Sequence, residues 1–292
     1  MTTAKERAYA KLNLFLDVCG KRADGYHEIR SVMHTVSLAD LLTVTVAPAS
    51  RSSVTLRAHG TAYVPTDDGN LACRAANLFL SRLGTPAAVR ILLEKRIPVG
   101  AGLAGGSSDA AATLRVLNRL FGRPFSASAL LSMAAQLGSD VPFCLLGKSA
   151  LCEGRGEVLT PISISPRAFV VVTSVEYVST PAAYTALDRL YSDFDGSVPA
   201  EGARAYSALT AALAGEGELA AGLYNIFESA VLPQIPRAVA WKARLAALGA
   251  QGTLMSGSGS AVFGIFPDIS RAEAAKNALC KEGAAAHAVT SV

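Results

Sequence analysis

The sequence predicts an α+β protein of two domains. Strand-like segments and segments with helical spacing of apolar residues occur in both halves of the 292 residues. They lack the regular strand-helix alternation that a doubly wound parallel sheet requires. A Pro- and Ser-rich stretch at 161–166 is typical of a linker. We therefore expect one domain over residues 1–162 and a second over residues 163–292.

The first half begins with strands, because its early segments are rich in Val, Leu and Thr and are bounded by turn-forming residues. Helical spacing begins at Asn70, after which Leu71, Ala75, Leu78 and Phe79 fall on one face. In chain order, the predicted elements of this half are strands at 12–18, 41–46, 53–58 and 88–93, and helices at 70–83, 108–121 and 126–137.

The second half opens on a strongly apolar segment that predicts a strand. Three later segments have the helical spacing of apolar residues, and one more apolar run predicts another strand. The predicted elements are strands at 169–173 and 261–266, and helices at 203–213, 238–248 and 272–279.

Composition indicates a folded protein that acts on small molecules. Half of the residues are apolar (51%) and 17% are charged, which is the opposite of a disordered chain. The net charge of +4 is small and dispersed, and no Lys/Arg run with interleaved aromatic residues suggests a nucleic-acid partner. A small-molecule substrate is the expected partner, and the oligomeric state is expected to be a monomer or a homodimer.

Two further features point to a cytoplasmic protein. The first residues are polar and lack the apolar stretch of a signal peptide, and no apolar run reaches the roughly 18 residues of a membrane span. The five cysteines are scattered and form no C-x-x-C pair, which argues against a zinc site and a disulfide framework. We expect reduced thiols and no membrane association.

A glycine- and serine-rich loop is the most informative segment of the chain. Its glycines let the backbone approach a ligand closely, and the helix expected to start at the serines offers free amides to an anion. The serine hydroxyls can also ligate Mg²⁺, which prefers oxygen. These properties predict a phosphate site formed by Pro98, Val99, Gly100, Ala101, Gly102, Leu103, Ala104, Gly105, Gly106, Ser107 and Ser108.

Two other glycine motifs fit this loop less well. Gly100, Gly102 and Gly105 match the dinucleotide pattern G-x-G-x-x-G, but the acidic residue expected about 20 positions later is missing from 119–130. The Walker loop requires a lysine before Ser or Thr, and Gly106-Ser107-Ser108 has none. A merely flexible turn is a further alternative, although glycines that lead directly into a serine-capped, Ala-rich helix favour anion binding.

The loop resembles the phosphate loop of the GHMP kinases, whose general form is P-x-x-x-G-L-x-S-S. Its Gly-Gly-Ser-Ser-Asp variant is similar to one branch, the kinases of cytidine-diphosphate-linked methylerythritol in non-mevalonate isoprenoid synthesis. The residue at 104 departs from that branch, which often has glycine where this chain has Ala104. Four further blocks resemble the branch in the same order along the chain, at 8–16, 21–27, 137–143 and 256–263.

The resemblance implies a fold and a reaction. The fold is a two-domain GHMP-kinase-like fold, with an N-terminal domain like ribosomal protein S5 domain 2, a ferredoxin-like C-terminal domain and the active site in the cleft between them. The reaction is transfer of the γ-phosphoryl group of ATP to the 2-hydroxyl of the cytidyl substrate, with Mg²⁺. The family places an aspartate and a lysine at the attacking hydroxyl, which correspond here to Asp140 and Lys11.

The same resemblance implies the binding residues. Tyr26 and His27 correspond to the cytidine site, where an aromatic ring stacks on the base. Asn13 corresponds to a substrate contact beside the lysine, and Thr180 and Pro181 to a substrate-side segment of the second domain. The adenine pocket is expected to be lined by Asn70 and Lys95, and Ser108 is the candidate Mg²⁺ ligand.

Several of these residues also have an ordinary structural interpretation. Asp140 could be a turn residue, Lys11 a surface lysine, Lys95 a solvated strand end and His27 an exposed residue of a hairpin. Three other functions stay open at this point: a homoserine or mevalonate-type kinase, a catalytically dead regulator of the family, and a nicotinamide-dependent oxidoreductase. The missing acidic residue disfavours the oxidoreductase, and retention of Lys11 and Asp140 disfavours the dead regulator.

Overall fold

The computed structural model describes residues 1–60, 63–174, 176, 178–191 and 200–292. They form two compact units, each assembled from separate stretches of chain. The first unit comprises Met1–Ala10, Leu38–Val99 and Ala104–Gly147, and the second comprises Lys11–Ser37, Gly100–Leu103 and Lys148–Val292. A division into successive domains at residue 162 stays a prediction.

Strands and helices are mixed in both units, which confirms the α+β fold class. The strands are β1 (Thr2–Lys21), β2 (His27–Pro48), β3 (Ser53–Gly60), β4 (Ala87–Lys95), β5 (Ser149–Glu153), β6 (Val158–Ile162), β7 (Ala168–Thr173), β8 (Tyr224–Asn225), β9 (Gly252–Met255), β10 (Val262–Phe266) and β11 (Ala285–Thr290). The helices are α1 (Leu71–Leu83), α2 (Gly105–Leu120), α3 (Ala127–Leu137), α4 (Val141–Leu146), α5 (Thr180–Leu190), α6 (Ala200–Leu213), α7 (Phe227–Val231), α8 (Pro236–Ala247) and α9 (Ile269–Lys281).

Every predicted element is present, but several boundaries differ. The strand predicted at 12–18 is part of the 20-residue β1, and the strand predicted at 41–46 is part of the 22-residue β2. Helix α2 begins at Gly105, three residues before the predicted start. The prediction omitted α5 and several short elements, among them α4 and α7, whose apolar residues are too few to show a period.

In the first unit, β4 lies between two strands and two helices pack together. It pairs in parallel with β3 and antiparallel with the 41–48 part of β2. Alternate residues of β4, among them Val89, Ile91 and Leu93, are buried, as the period of two in a strand requires. Residues 108–114 of α2, which include Ala110, Ala111 and Ala112, are buried, and α2 packs closely against α1.

The second unit contains a four-stranded antiparallel sheet in the order β11-β7-β10-β9. Helices α8 and α9 pack against it, and the core includes Val170, Leu245, Phe266 and Leu279. This sheet with its helices is the expected ferredoxin-like part of the fold. Elsewhere in the unit, β8 pairs in parallel with β1, where Phe15 lies opposite Tyr224.

A buried histidine ties the end of the chain to β2. His34 is 2% exposed, and its two ring nitrogens lie 2.8 Å from the hydroxyls of Ser149 and Ser291. Burial lowers the pKa of His34 to about 4. The ring is therefore neutral in the folded protein at physiological pH.

Among the helices in the described part of the chain, none has the length and apolar character that crossing a membrane would require.

Candidate active site

Strand β1 places Lys11 and Asn13 side by side on the same face, because residues two apart in a strand point the same way. Both are buried, with Lys11 only 4% exposed, so the interpretation of Lys11 as a surface lysine is wrong. The ammonium of Lys11 donates to Asn13 Oδ1. Asn13 Nδ2 donates to Ser31 Oγ at 2.8 Å, and Ser31 in turn donates to the Phe15 carbonyl at 2.7 Å. This chain of bonds fixes the direction of the Lys11 side chain.

The segment Gly100–Leu103 of the phosphate loop is bonded to β1 and to the second glycine loop, which comprises residues 256–261. The amide of Lys11 donates to the Leu103 carbonyl at 3.2 Å, and Ser256 Oγ donates to the Gly102 carbonyl at 3.0 Å. The Ala261 amide donates to the carbonyl of Ala101 at 3.2 Å. A Cβ on Gly257 would lie 3.3 Å from Lys11 Nζ, so the glycine loop also adjoins the lysine.

Two side chains that the sequence analysis missed hold the second glycine loop. Asn225 Nδ2 donates to the carbonyls of Met255 and Gly257, both at 2.8 Å. Glu228 Oε1 accepts from the Met255 amide at 2.8 Å. Both residues come from the β8–α7 segment, and only their three-residue spacing before an apolar run could have drawn attention to them. The buried amide of Asn225 and the half-buried carboxylate of Glu228 therefore hold the backbone where the loop begins.

Helix α2 begins with backbone amides that have no partner within the helix, and no serine side chain caps it. Ala104 precedes the helix in the left-handed region, with φ of 56°, and makes no side-chain cap bond. The Ser108 amide donates to the Ala104 carbonyl at 2.9 Å, whereas the amides of Gly105, Gly106 and Ser107 precede the first such bond. The predicted serine cap is wrong, because the helix starts at the glycines. The predicted phosphate site at this end of α2 stays a prediction.

Ser108 is nearly inaccessible, with 1% of its surface exposed. Its hydroxyl donates to the Tyr9 carbonyl at 2.6 Å, which ties the first turns of α2 to β1. Ser107 is half-buried and Gly106 is exposed. At the other end of the loop Pro98 is half-buried, Val99 and Gly100 are exposed, and Gly100 has a φ of 70°.

Lys95 lies at the centre of a buried ionic cluster, so its interpretation as a solvated strand end is wrong. It is 2% exposed, and its ammonium donates to Asp40 and, at 2.9 Å, to Asp109 Oδ2. Asp40 Oδ1 also accepts from the amides of Arg96 and Ile97 at 2.6 and 2.8 Å. The cluster therefore joins the end of β4 to the first turns of α2.

The charges of this cluster do not balance when both carboxyls are ionised. Burial raises the pKa of Asp109 to about 8, against the attraction of Lys95. Two carboxyls share one ammonium, so holding a proton on one of them removes an uncompensated buried charge. Lys95 Nζ would lie 3.2 Å from a Cβ on Gly105, which places this ammonium directly behind the first residue of α2.

Asn70 uses its side chain to begin α1. Its Oδ1 accepts from the Ala72 amide at 2.9 Å, and its Nδ2 donates to the Pro65 carbonyl at 2.8 Å. This is the N-cap arrangement expected of asparagine before a helix. A contact of Asn70 with adenine stays a prediction.

Asp140 precedes the short helix α4 in the first unit. Its carbonyl accepts from the Cys144 amide at 3.0 Å, and its side chain makes no cap bond to the helix. The preceding turn is closed by the Val141 amide, which donates to the Gly138 carbonyl at 3.2 Å. Pro142 stands in the first turn of the helix, where its missing N–H costs nothing. The half-buried carboxylate is thus presented by a rigid turn.

Tyr26 and His27 stand at the start of β2 in contrasting environments. Tyr26 is 54% exposed, and the guanidinium of Arg155 lies 4.8 Å from the centre of its ring. His27 is 7% exposed, so its interpretation as an exposed residue of a hairpin is wrong, although the tight turn before it is present. Its ring stacks on Tyr184 at 4.6 Å, and Nε2 lies 2.7 Å from Asp188 Oδ1.

Thr180 and Pro181 begin helix α5, which Ser179 caps by accepting from the Ala182 amide at 3.3 Å. The hydroxyls of Thr180 and Ser258 lie 3.0 Å apart, so the helix also reaches the second glycine loop. The sequence analysis missed Tyr184 and Asp188. Their four-residue spacing from Thr180 was the available sign, since such residues share one face of a helix.

Comparison with known proteins decides the family. A family model described as the GHMP kinases N-terminal domain matches residues 70–148, and one described as GHMP kinases C-terminal matches residues 206–285. The chain belongs to the GHMP kinase family. It is therefore an ATP-dependent kinase, and the oxidoreductase alternative is wrong.

Several similar relatives are named 4-diphosphocytidyl-2-C-methyl-D-erythritol kinase. The chain is 43% identical to the protein of that name from Gloeobacter violaceus, over 94% of this chain and 89% of the relative. It is 40% identical to the one from Bacillus subtilis, over 94% and 92% of the two chains.

Solved GHMP kinase structures agree with the fold. A crystal structure of 4-(cytidine 5'-diphospho)-2C-methyl-D-erythritol kinase is similar, with a TM-score of 0.81, 40% identity and coverage of 98% of both chains. A homoserine kinase from Cytophaga hutchinsonii has a TM-score of 0.72 at 19% identity, covering 99% of this chain and 94% of its own. At that identity the likeness concerns the fold alone.

Proposed function

We propose that this GHMP kinase transfers the γ-phosphoryl group of ATP to the 2-hydroxyl of 4-diphosphocytidyl-2-C-methyl-D-erythritol, in the non-mevalonate route to isoprenoid precursors. The observation that carries the proposal is identity of 40% or more with kinases named for this substrate, over more than nine-tenths of the chain. The aromatic and histidine pair at 26–27 supports it, because this pair suits the ring and polar edge of a base.

Lys11 and Asp140 are the proposed catalytic pair. Phosphoryl transfer needs a group that orients or deprotonates the attacking hydroxyl, and positive charge near the transferring group. A half-buried carboxylate such as Asp140 can accept the hydroxyl proton. The directed ammonium of Lys11 can stabilise the charge that develops on the phosphoryl oxygens. Asn13 would contact the acceptor beside Lys11, and Thr180 and Pro181 would contribute from α5.

The phosphates of ATP are proposed to lie at the start of α2, on the amides of Gly105, Gly106 and Ser107. The buried ammonium of Lys95 lies behind Gly105, but Asp40 balances its charge, so Lys95 holds the start of α2 in place rather than adding net positive charge there. This arrangement changes the role expected for Lys95, which would act through the phosphate loop rather than as an open wall of the adenine pocket. Asn70 remains a proposed neighbour of the adenine.

Mg²⁺ belongs to the same proposal. Across the described residues, no group of three or more His, Cys, Asp or Glu side chains is placed to hold a metal ion. Kinase Mg²⁺ binds through one or two carboxylates, water and the phosphates of its nucleotide, so a closed protein cage is not expected. Ser108 is the predicted protein ligand, but its buried hydroxyl donates to the Tyr9 carbonyl, so its oxygen would have to become accessible before it could bind the metal. When bound, Mg²⁺ would neutralise charge on the phosphates of ATP.

A coupled assay of ADP release tests the proposal. The purified protein is given ATP and, in parallel reactions, the cytidyl substrate, mevalonate or homoserine. We expect turnover with the cytidyl substrate alone. Turnover with mevalonate or homoserine, and none with the cytidyl substrate, would show that the proposed acceptor is wrong and that the other compound is the substrate. A cytoplasmic location and a monomeric or homodimeric state remain predictions, which fractionation and light scattering would check.

A further inference from the structure

The carboxylate of Asp188 holds the buried ring of His27 by one nitrogen. Nε2 of His27 lies 2.7 Å from Asp188 Oδ1, and Lys21 Nζ donates to Asp188 Oδ2 at 2.9 Å. Burial raises the pKa of Asp188, but the hydrogen bonds from Lys21 and His27 outweigh it and lower this pKa below its usual value. The carboxylate is therefore ionised at neutral pH. Because an ionised carboxylate only accepts, Nε2 of His27 carries a proton.

A second contact fixes the plane of the same ring. Tyr184 stacks on His27 with the ring centres 4.6 Å apart and the planes at 26°. Tyr184 is itself held edge-on by Phe227, with centres 4.8 Å apart and planes at 84°. Tyr184 and Asp188 are four residues apart on α5 and therefore share a face of the helix. Stacking sets the plane of the imidazole, and Asp188 sets its rotation within that plane.

We propose that Asp188 is a positioning residue for base recognition, which fixes the tautomer and the rotation of His27 toward the base of the acceptor substrate. The nature of that base rests on the proposed function. A fixed tautomer offers the base one hydrogen-bond polarity, and cytosine and uracil differ in polarity at position 4, where one has an amino group and the other a carbonyl. Asp188 thus helps to determine specificity without touching the substrate.

If Asp188 served only to link α5 to β1 through Lys21, Asp188→Ala and Lys21→Met would have the same effect. Through Lys21, Asp188 also links α5 to the end of β1. Lys21 is 55% exposed in its side chain, and ion pairs of such groups contribute little to stability. Lys21→Met removes this link and leaves the bond between Asp188 and His27 in place. It is therefore the matched control for Asp188→Ala.

The experiment measures binding of CMP, UMP and ADP to the whole protein by calorimetry, together with kcat and KM. For Asp188→Ala we expect CMP binding to weaken about 10-fold or more, the preference for CMP over UMP to fall, and ADP binding to stay within about 2-fold. The KM for the cytidyl substrate should rise more than kcat falls. Asp188→Asn should recover part of the CMP affinity, because its amide oxygen can still accept from Nε2. Lys21→Met should lose less than about 3-fold.

A readout that needs no substrate separates this inference from the proposed function. The ring ¹⁵N shifts of His27, one of four histidines in the chain, report its tautomer. We expect them to change in Asp188→Ala and to stay unchanged in Lys21→Met. Unchanged shifts in Asp188→Ala, or equal losses of CMP affinity in Asp188→Ala and Lys21→Met, would overturn the inference. If the shifts change as expected while the wild type binds no CMP, the positioning of His27 stands and the cytidyl substrate is wrong.

Discussion

The α-carbon of Gly102 faces the carbonyl oxygen of Ser256 so closely that a Cβ would lie 2.1 Å from it. The same glycine has a φ of 77°, which side chains rarely adopt. We expect Gly102→Ala to lower the free energy of unfolding by about 1–3 kcal/mol, because the two loops must move apart. Thermal unfolding with and without ATP measures the effect.

Gly106→Val is the matched variant in the same phosphate loop. Its nearest neighbour for a Cβ is Leu71 Cδ1 at 3.7 Å, an ordinary contact, so the fold should be retained. We expect ATP affinity at least about 10-fold lower by calorimetry, because bulk at this amide obstructs the phosphates. If Gly106→Val bound ATP as tightly as the wild type, the phosphates would lie elsewhere.

Ala104→Gly should stabilise the protein. Ala104 has a φ of 56° and a ψ of 31°, and left-handed backbone costs a residue with a Cβ about 1–2 kcal/mol. The greater freedom of glycine in the unfolded chain offsets about 0.4–1 kcal/mol of this gain. We expect a net increase of up to about 1.6 kcal/mol in the free energy of unfolding, measured with denaturant.

The control for this change is Ala112→Gly inside α2, where the backbone is helical and the methyl group is buried. That variant should lose at least about 1 kcal/mol. A loss of stability in Ala104→Gly would mean that the methyl of Ala104 makes contacts worth more than its backbone strain.

Asp140→Asn should abolish most turnover and leave nucleotide binding intact. The amide keeps the size of the side chain but cannot accept the hydroxyl proton. Loss of such an acceptor typically lowers the rate by about 10²-fold or more. Single-turnover kinetics with saturating ATP measures the chemical step, and calorimetry with ADP is the control for folding. Full activity in a folded Asp140→Asn protein would remove this carboxylate from the mechanism.

Tyr26→Ala should weaken the cytidyl substrate selectively. Stacking of an aromatic ring on a base contributes about 1–3 kcal/mol, which corresponds to a rise in KM of about 5- to 150-fold. The KM for ATP should stay near the wild-type value, and Tyr26→Phe should be mild because the ring is retained. An unchanged KM for the cytidyl substrate in Tyr26→Ala would contradict stacking at this position.

His34 makes stability depend on pH. Its pKa is about 4 in the folded protein and about 6.5 in the unfolded chain, so the unfolded state binds the extra proton between these values. The contribution of the neutral ring to stability is complete above pH 6.5 and is lost as pH falls toward 4, by about 3 kcal/mol in total. His34→Gln removes this titration. We expect the melting temperatures of His34→Gln and the wild type to converge between pH 7.5 and 4.5.

The sequence predicted the local parts of this site better than the distant contacts. Lys11 and Asn13 could be paired in advance, because two residues in one strand share a face whatever the rest of the chain does. The partners of Lys95 could not, since Asp40 lies 55 residues earlier and nothing local indicates that it is buried beside the lysine. The start of α2 was misplaced because the serines suggested a cap, whereas the left-handed backbone at Ala104 begins the helix.

Helix α5 also sets the distance between the contacts made by Thr180 and Asp188. Thr180 at its start contacts the second glycine loop, which adjoins Lys11, and Asp188 two turns later holds His27, the proposed contact of the base. Eight residues of helix separate the two contacts by about 12 Å. Under the proposed function, a substrate must be long enough to extend from the second glycine loop to His27, and its diphosphate supplies that length. A nucleoside without the diphosphate would reach His27 alone, so short cytidine compounds should compete for the site without becoming acceptors.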